Sequence, residues 1–151
     1  MKLVVQRVKT AQVAVDNQVV AEMGPGAVVL VGIAKGDTQH DINYLSRKLS
    51  RLRYFDDEKG HLNAPIQTVQ GTFLVVSQFT LYGDCRRGNR PSYIEAATPE
   101  AAKDLYKDFI ERLQSLGHTV KTGVFREHMT VKLENDGPVT LILESHGKTA
   151  S

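Results

Sequence analysis

The chain has 151 residues, a single cysteine and a formal net charge of +2. That length fits one domain able to bury roughly 68–70% of its unfolded surface. The lone Cys85 excludes an internal disulfide, and so weak a net charge leaves any contact with RNA to local basic patches. No run approaches the ~18–20 apolar residues of a membrane span. The opening Met1–Arg7 is apolar for too short a stretch to be a signal segment, so the expected location is the cytoplasm.

The first third reads as strands. Leu3–Val8 is a short apolar-rich run, and Val13, Val15, Val19 and Val20 flank Asp16-Asn17 in the manner of a tight hairpin. Gly24-Pro25-Gly26 is a turn rather than a phosphate loop, since no Gly-Lys-Ser/Thr follows it. Ala27–Ala34 is nearly continuous apolar sequence, the pattern of a buried central strand. Asp37 or Thr38 then caps a helix whose Ile42, Leu45, Leu49 and Leu52 recur at helical spacing. Arg47, Lys48 and Arg51 lie between them on a face that is by default solvated, although part of it can touch RNA. Asp56–Gly60 is an acidic turn without the alternating oxygen ligands of a calcium loop.

Thr72–Val76 is another buried strand, and it runs directly into Ser77-Gln78-Phe79-Thr80-Leu81. Tyr82–Ala97 forms a long loop holding Arg86, Arg87 and Arg90, and loops of that length in compact domains are often functional. Thr98-Pro99-Glu100 starts a second helix with Leu105, Phe109, Leu113 and Leu116 inward and Gly117 at its end. Thr119–Val124, Met129–Glu134 and Val139–Glu144 read as strands, and residues 146–151 as a flexible tail behind a single domain over 1–145. Blocks of strands separated by two helices argue for an α+β fold, mostly antiparallel.

The chemistry is harder to read. The five histidines show no metal-ligand spacing and no nucleophile elbow is present. Cys85, beside Arg86 and Arg87, reads first as an inert thiol. Ser77, Gln78 and Thr80 set hydroxyls and an amide at a strand end with Phe79 as a wall; they serve either a pocket or merely neighbouring backbone groups. Asn135–Thr140 carries an Asp-Gly hairpin signal, which Pro138 complicates because it cannot donate to a ladder and belongs at an edge, bulge or strand start. The three arginines between Arg86 and Arg90 suit phosphate, or simply keep a flexible loop soluble.

Ser77–Leu81 and Asn135–Thr140 together resemble the SQFTL and NxGPxT signatures of the D-aminoacyl-tRNA deacylases. Val5-Gln6-Arg7-Val8, Tyr54-Phe55-Asp56 and Arg86–Ser92 extend the resemblance over essentially the whole chain. It implies a homodimer with a barrel-like sheet and two main helices, acting on the ester of D-aminoacyl-tRNA and on glycyl-tRNA, with no cofactor, metal, membrane or DNA. It further implies that Ser77, Gln78, Phe79 and Thr80 of one subunit form the catalytic pocket. Gly137-Pro138 of the other subunit, in a cis bond, would judge chirality through backbone carbonyls. Phe125 and Met129 would line the same site and Arg7 would brace the Gly-Pro segment, with Arg86, Arg87 and Arg90 contacting tRNA. Backbone amides at Phe79 and Thr80 would hold the oxyanion, and a substrate 2′-hydroxyl rather than Thr80 would help to place water. Two other readings stay open: a non-catalytic nucleic-acid-binding module that uses the arginine loop, and an esterase or amidase of small metabolites.

Overall fold

Strand β1 (Lys2–Val15) alternates between covered and partly covered positions over most of its length, the period of a strand with one face on a core. The sequence predicts a short strand over Leu3–Val8; the structure carries it through to the hairpin. Asp16 and Asn17 turn the chain with φ of 48° and 62°, the doubly positive geometry of a two-residue hairpin loop. Strand β2 (Gln18–Met23) returns along the second half of β1, and β3 (Gly26–Gly32) continues along the first half. Helix α1 (Gln39–Arg51) starts at a capping box: the Thr38 hydroxyl accepts from the His40 N–H, and the Asp41 carboxylate accepts from the Thr38 N–H at 2.8 Å. Strands β4 (Arg53–Asp56) and β5 (Leu62–Pro65) pair around the acidic turn, where Asp57 accepts the N–H groups of Lys59 and His61. Strand β6 (Thr72–Ser77), helix α2 (Pro99–Ser115, capped by Thr98), β7 (Thr119–Thr122) and β8 (Thr130–Glu144) complete the chain. This computed structural model describes residues 1–146; Gly147–Ser151, the end of the expected tail, lie outside them. His146, at the start of that tail, places its Nε2 2.7 Å from Asp37 Oδ1.

Strand β1 is the spine. It pairs antiparallel with β2 and β3 on one edge and with β8 on the other. Beyond β3 the sheet continues through β6 and β7, both parallel to their neighbour, with α1 and α2 as the crossovers. Strand β7 then returns to β2, where Lys121 Nζ donates to the Glu22 carbonyl at 2.6 Å and brings the sheet close to closure. The fold is α+β, with two helices on a mostly antiparallel, nearly closed barrel-like sheet. The parallel strip is the departure from a simple meander. It exists because each helix must lie back across the sheet before the chain re-enters it.

Two cores follow from the strand period. Leu3, Val5, Val29, Val31, Phe73 and Val75 face the helices and meet Ile42, Leu45, Leu49, Phe109 and Leu113. Val8, Val13, Val28, Leu74 and Val76 point the other way and fill the barrel. Both faces of β3 and β6 are therefore covered, which is why their sequences show apolar runs rather than alternation. No helix among the described residues is long and apolar enough to cross a membrane.

His118 links the layers. It sits between α2 and β7 with its ring edge-on to Phe73 at 5.0 Å between centroids, and its Nε2 lies 2.6 Å from the Ser50 hydroxyl of α1. Burial pushes its pKa below the ordinary value of 6.5. The native state thus resists protonation that the unfolded chain accepts, so this contribution to stability is complete above about pH 6.5 and is lost as the pH falls through the lower folded value. Urea unfolding between pH 7.5 and 5 is expected to show a smaller acid-side loss of stability for His118→Gln than for the parent. Parallel profiles for the two proteins would contradict this.

Candidate active site

Strand β6 delivers the first motif to the end of the barrel. Gln78 N–H still donates to the Val31 carbonyl at 2.8 Å, so the chain stays in the sheet until that residue. A single turn of 3-10 helix over Phe79–Tyr82 then lifts it away. Leu81 N–H donates to Gln78 O at 3.2 Å and Gly83 N–H to Thr80 O at 2.9 Å. The N–H groups of Phe79 and Thr80 open this turn and have no acceptor within it. The Gln78 side-chain amide donates to the Thr80 hydroxyl, which holds both side chains against the turn.

A cleft of about 650 Å³ opens beside this turn, lined among others by Ser77, Gln78, Phe79, Tyr93, Phe125 and Met129. Its inner wall continues into the barrel core through Val76 and Val131. Phe79 is 58% exposed and stands edge-on to Tyr93 at 5.2 Å between centroids. Phe125 is anchored against Tyr106, whose hydroxyl donates to the Val75 carbonyl at 2.9 Å. Ser77, Gln78, Phe79, Phe125 and Met129 are thus brought together; Thr80 joins them only through its bond to Gln78. Tyr93, Glu127 and His128 also line the cleft, and sequence reasoning missed them. The long loop that holds Tyr93 is the one signal the sequence carries for them.

Gly137-Pro138 lies elsewhere in the chain's own fold. The hairpin signal over Asn135–Thr140 does not produce a hairpin: β8 runs unbroken from Thr130 to Glu144, and both halves pair with β1. Gln6 pairs with Thr140 and Val8 with Asn135, so Asp136–Val139 bulge out opposite Arg7 alone. The Gly137–Pro138 bond is cis, and both residues are exposed on the bulge. Gly137 has a φ of 125°, and a Cβ there would fall 2.7 Å from Val139 Cγ2 and 3.0 Å from Val139 N, so a side chain is excluded twice over.

Arg7 holds the base of the bulge. Its side chain is almost fully buried; Nε donates to the Asp136 carbonyl at 3.1 Å, and Nη1 donates to the Tyr54 carbonyl at 3.2 Å and to Asp56 Oδ1 at 3.1 Å. Asn135 Nδ2 closes the neck, donating to Arg7 O at 2.9 Å and Val139 O at 3.0 Å. Neither Gly137 nor Pro138 lines the cleft of the same chain.

The arginine loop is closed by paired backbone hydrogen bonds between Asp84 and Ser92, at 2.8 and 2.9 Å. Arg86 is engaged by Asp84 through two hydrogen bonds of 2.8 and 2.7 Å, and this partner pulls the Asp84 carboxyl down to about 2. Arg87 and Arg90 are exposed and make no salt bridge among the described residues. Cys85 is exposed in the same loop. Asp37, Asp41 and His146 bring ligand-type atoms within 4.8 Å of one another, but the Met1 ammonium already sits 2.7 Å from Asp37 Oδ1 and none of the three lines the cleft.

The family described as D-Tyr-tRNA(Tyr) deacylase matches residues 4–144 of this chain. A D-aminoacyl-tRNA deacylase of Desulforamulus reducens is 55% identical over 145 residues, covering 96% of this chain and 97% of that protein. The counterpart from Fervidobacterium nodosum is 52% identical over the same shares. A solved structure titled c-Myc DNA Unwinding Element Binding Protein superposes with a TM-score of 0.92 at 40% identity, covering 97% of this chain and all of that one. A probable eukaryotic D-amino acid tRNA deacylase shares the fold at a TM-score of 0.80 and 15% identity, over 94% of this chain and 97% of that one. With both signature segments placed at structured sites and the family match running from β1 to the end of β8, the chain belongs to the D-aminoacyl-tRNA deacylase family.

Proposed function

We propose that this protein hydrolyses the ester between a D-amino acid and the terminal adenosine of tRNA, releasing both. The observation that carries the reading is its identity with named deacylases over nearly its full length, coupled to a cleft built from the first signature segment. Water adds to the ester carbonyl and gives up a proton, a tetrahedral oxyanion forms, and its collapse breaks the bond to the ribose oxygen, which leaves with the proton the water gave up. Donors aimed at the oxyanion supply most of what an activated ester needs. The Phe79 and Thr80 amides, first in their turn, suit that task. Thr80 is poorly suited to attack, because its hydroxyl is held by the Gln78 amide and none of its side-chain hydrogen bonds reaches a base. A substrate 2′-hydroxyl positions the water.

Selection by chirality falls to Gly137-Pro138. That segment is exposed, braced by Arg7 and Asn135, and remote from the lining of its own cleft, which supports a homodimer in which each copy presents it to the other's cleft. Main-chain carbonyls that take the substrate amino group leave no space for an L side chain, and a clash with backbone cannot be relieved by a rotamer change. Glycine has no side chain to exclude, so glycyl-tRNA is a substrate in this reading. The expected location is the cytoplasm.

A second reading has one observation in its favour: a similar structure carries a name that describes binding to a DNA element. On that reading the protein would bind nucleic acid without turnover.

Three experiments bear on these points. D-tyrosyl-tRNA and L-tyrosyl-tRNA, incubated side by side with the protein and a chelator, are expected to lose only the D ester. Survival of both would favour the non-catalytic reading, and equal loss would remove the backbone basis of selection. Thr80→Ala is expected to keep kcat within about tenfold of the parent, whereas a loss near 10⁴-fold with binding intact would restore a nucleophilic role. Gly137→Ala forces a side chain into a positive-φ position with no room, a strain of about 1–3 kcal/mol. It is expected to lower the melting temperature by several degrees and to cut D-selective turnover at least tenfold. Unchanged turnover would mean that the bulge does not act in the site.

A further inference from the structure

Helix α1 and the start of β4 form a second concavity, about 530 Å³ in volume and lined by Tyr44, Arg47, Lys48, Arg51, Leu52 and Arg53. Tyr44, Arg47, Lys48 and Arg51 follow the i, i+3, i+4, i+7 spacing of one helix face. All four are exposed, as is Arg53, while Leu52 is half-buried as the apolar floor. Among the described residues none of the four cations forms a salt bridge, and Arg47 spends only its Nε on the Asn43 carbonyl, at 3.1 Å. The only acidic side chain of α1, Asp41, is buried in the capping box at the other end.

A solvated helix face usually carries both signs. Helix α2 does: Lys107 pairs with Glu111 at 3.7 Å, and Glu100, Lys103, Asp104 and Asp108 surround them. The outer face of α1 offers cations alone, a self-repelling arrangement that a polyanion relieves. Attraction to the negative end of the helix dipole accounts for Lys48 and Arg51 in the last turn. It does not account for Arg47, for Arg53 beyond the helix, or for an aromatic side chain 43% exposed beside them.

The groove is also well placed. From Arg53 the chain runs along β4 to Asp56, about 10 Å of strand. Asp56 accepts from Arg7, and Arg7 holds Asp136 at the neck of the Gly137-Pro138 bulge. The cationic surface and the exposed Gly-Pro segment therefore lie along one connected track.

We infer that this groove is a tRNA-backbone site, in which Arg47, Lys48, Arg51 and Arg53 contact phosphates and Tyr44 stacks on a base or ribose of the same strand. It is separate from the Arg86–Arg90 loop, and it rests on the proposed deacylase function for the identity of the RNA. Arginine forks and a lysine point charge suit phosphate oxygens, and a tyrosine ring accepts any base face.

The test compares the parent with R47Q/K48Q/R51Q and, separately, R53Q, after thermal melts on each. Binding of uncharged tRNA is measured from 50 to 200 mM salt, together with KM and kcat on D-aminoacyl-tRNA. Each lost phosphate contact removes about 0.7–0.9 from the log–log salt slope. The triple variant is expected to lose about 2.1–2.7 from that slope and at least tenfold in affinity at 100 mM salt, with the loss appearing in KM rather than kcat. R53Q, which lies just past the helix C-cap and leaves the last turn of the helix unaltered, is expected to lose just under one. Unchanged slopes and KM in both variants would overturn the inference. So would unchanged tRNA binding accompanied by lost affinity for phosphatidylserine vesicles. If the parent binds tRNA with a groove-dependent slope yet leaves D-aminoacyl-tRNA intact, the deacylase function fails and the site stands.

Discussion

Strand β6 has no solvated face. Phe73 and Val75 are sealed beneath the two helices while Leu74 and Val76 fill the barrel. Each such side chain stabilises the fold by roughly 1.5–3 kcal/mol when it leaves water, so β6 cannot slide without surrendering several of them at once. Its backbone is held as firmly: β3 and β7 flank it, and the Val75 carbonyl accepts both the Tyr106 hydroxyl and the Gly123 N–H. A strand pinned in this way must release its chain at a fixed place, which is the rim of the barrel. Ser77–Thr80 stand there because of how the four residues before them are buried.

Arg7 imposes a second constraint. A buried guanidinium is costly unless it is hydrogen-bonded, and this one donates from Nε to the Asp136 carbonyl and from Nη1 to the Tyr54 carbonyl and the Asp56 carboxylate. Hydrogen bonds from a charged donor contribute about 1.5–3 kcal/mol each. The arrangement ties β1, β4 and β8 together around a bulge that would otherwise be four residues of unpaired strand. It also joins the Gly-Pro segment to β4, and through β4 to the cationic face of α1. The rim of the barrel and the bulge are therefore held in place by different forces, one apolar and one polar.

The proposed chemistry draws on main-chain atoms at both places, amides at the start of the turn after β6 and carbonyls at the bulge. Side chains such as Arg7 and Asn135 then act by positioning backbone, through their bonds to main-chain carbonyls. The sequence accordingly carries no decisive acid pair, triad or metal-ligand spacing, because the groups proposed to do the work are main-chain atoms that every residue possesses. The arrangement also accounts for the exposure of Phe79, whose ring helps to wall a cleft open on its outer side.

What the sequence determines by itself is local. Asp37 or Thr38 and, for the second helix, Thr98 mark the helix starts, with the structure choosing Thr38; Asp16-Asn17 mark the first hairpin, and the apolar runs at Ala27–Ala34 and Thr72–Val76 mark the doubly covered strands, because caps, turns and burial periods act over a few residues. The two signature segments are legible for the same reason, each being contiguous. Tertiary structure decides the rest. Asp-Gly after Asn135 is an equally good hairpin turn or bulge; the choice falls to the bulge because both flanking segments find pairing partners on one strand, β1, and Arg7 occupies the gap. Parallel pairing of β3, β6 and β7 depends on helices crossing back over the sheet, and the capture of Arg86 by Asp84 depends on a loop closed at Ser92. Tyr93 and His128 reach the cleft, and Arg53 joins the face of α1, only once distant segments are folded together, since no residue's neighbours across such separations are written in its own stretch of chain.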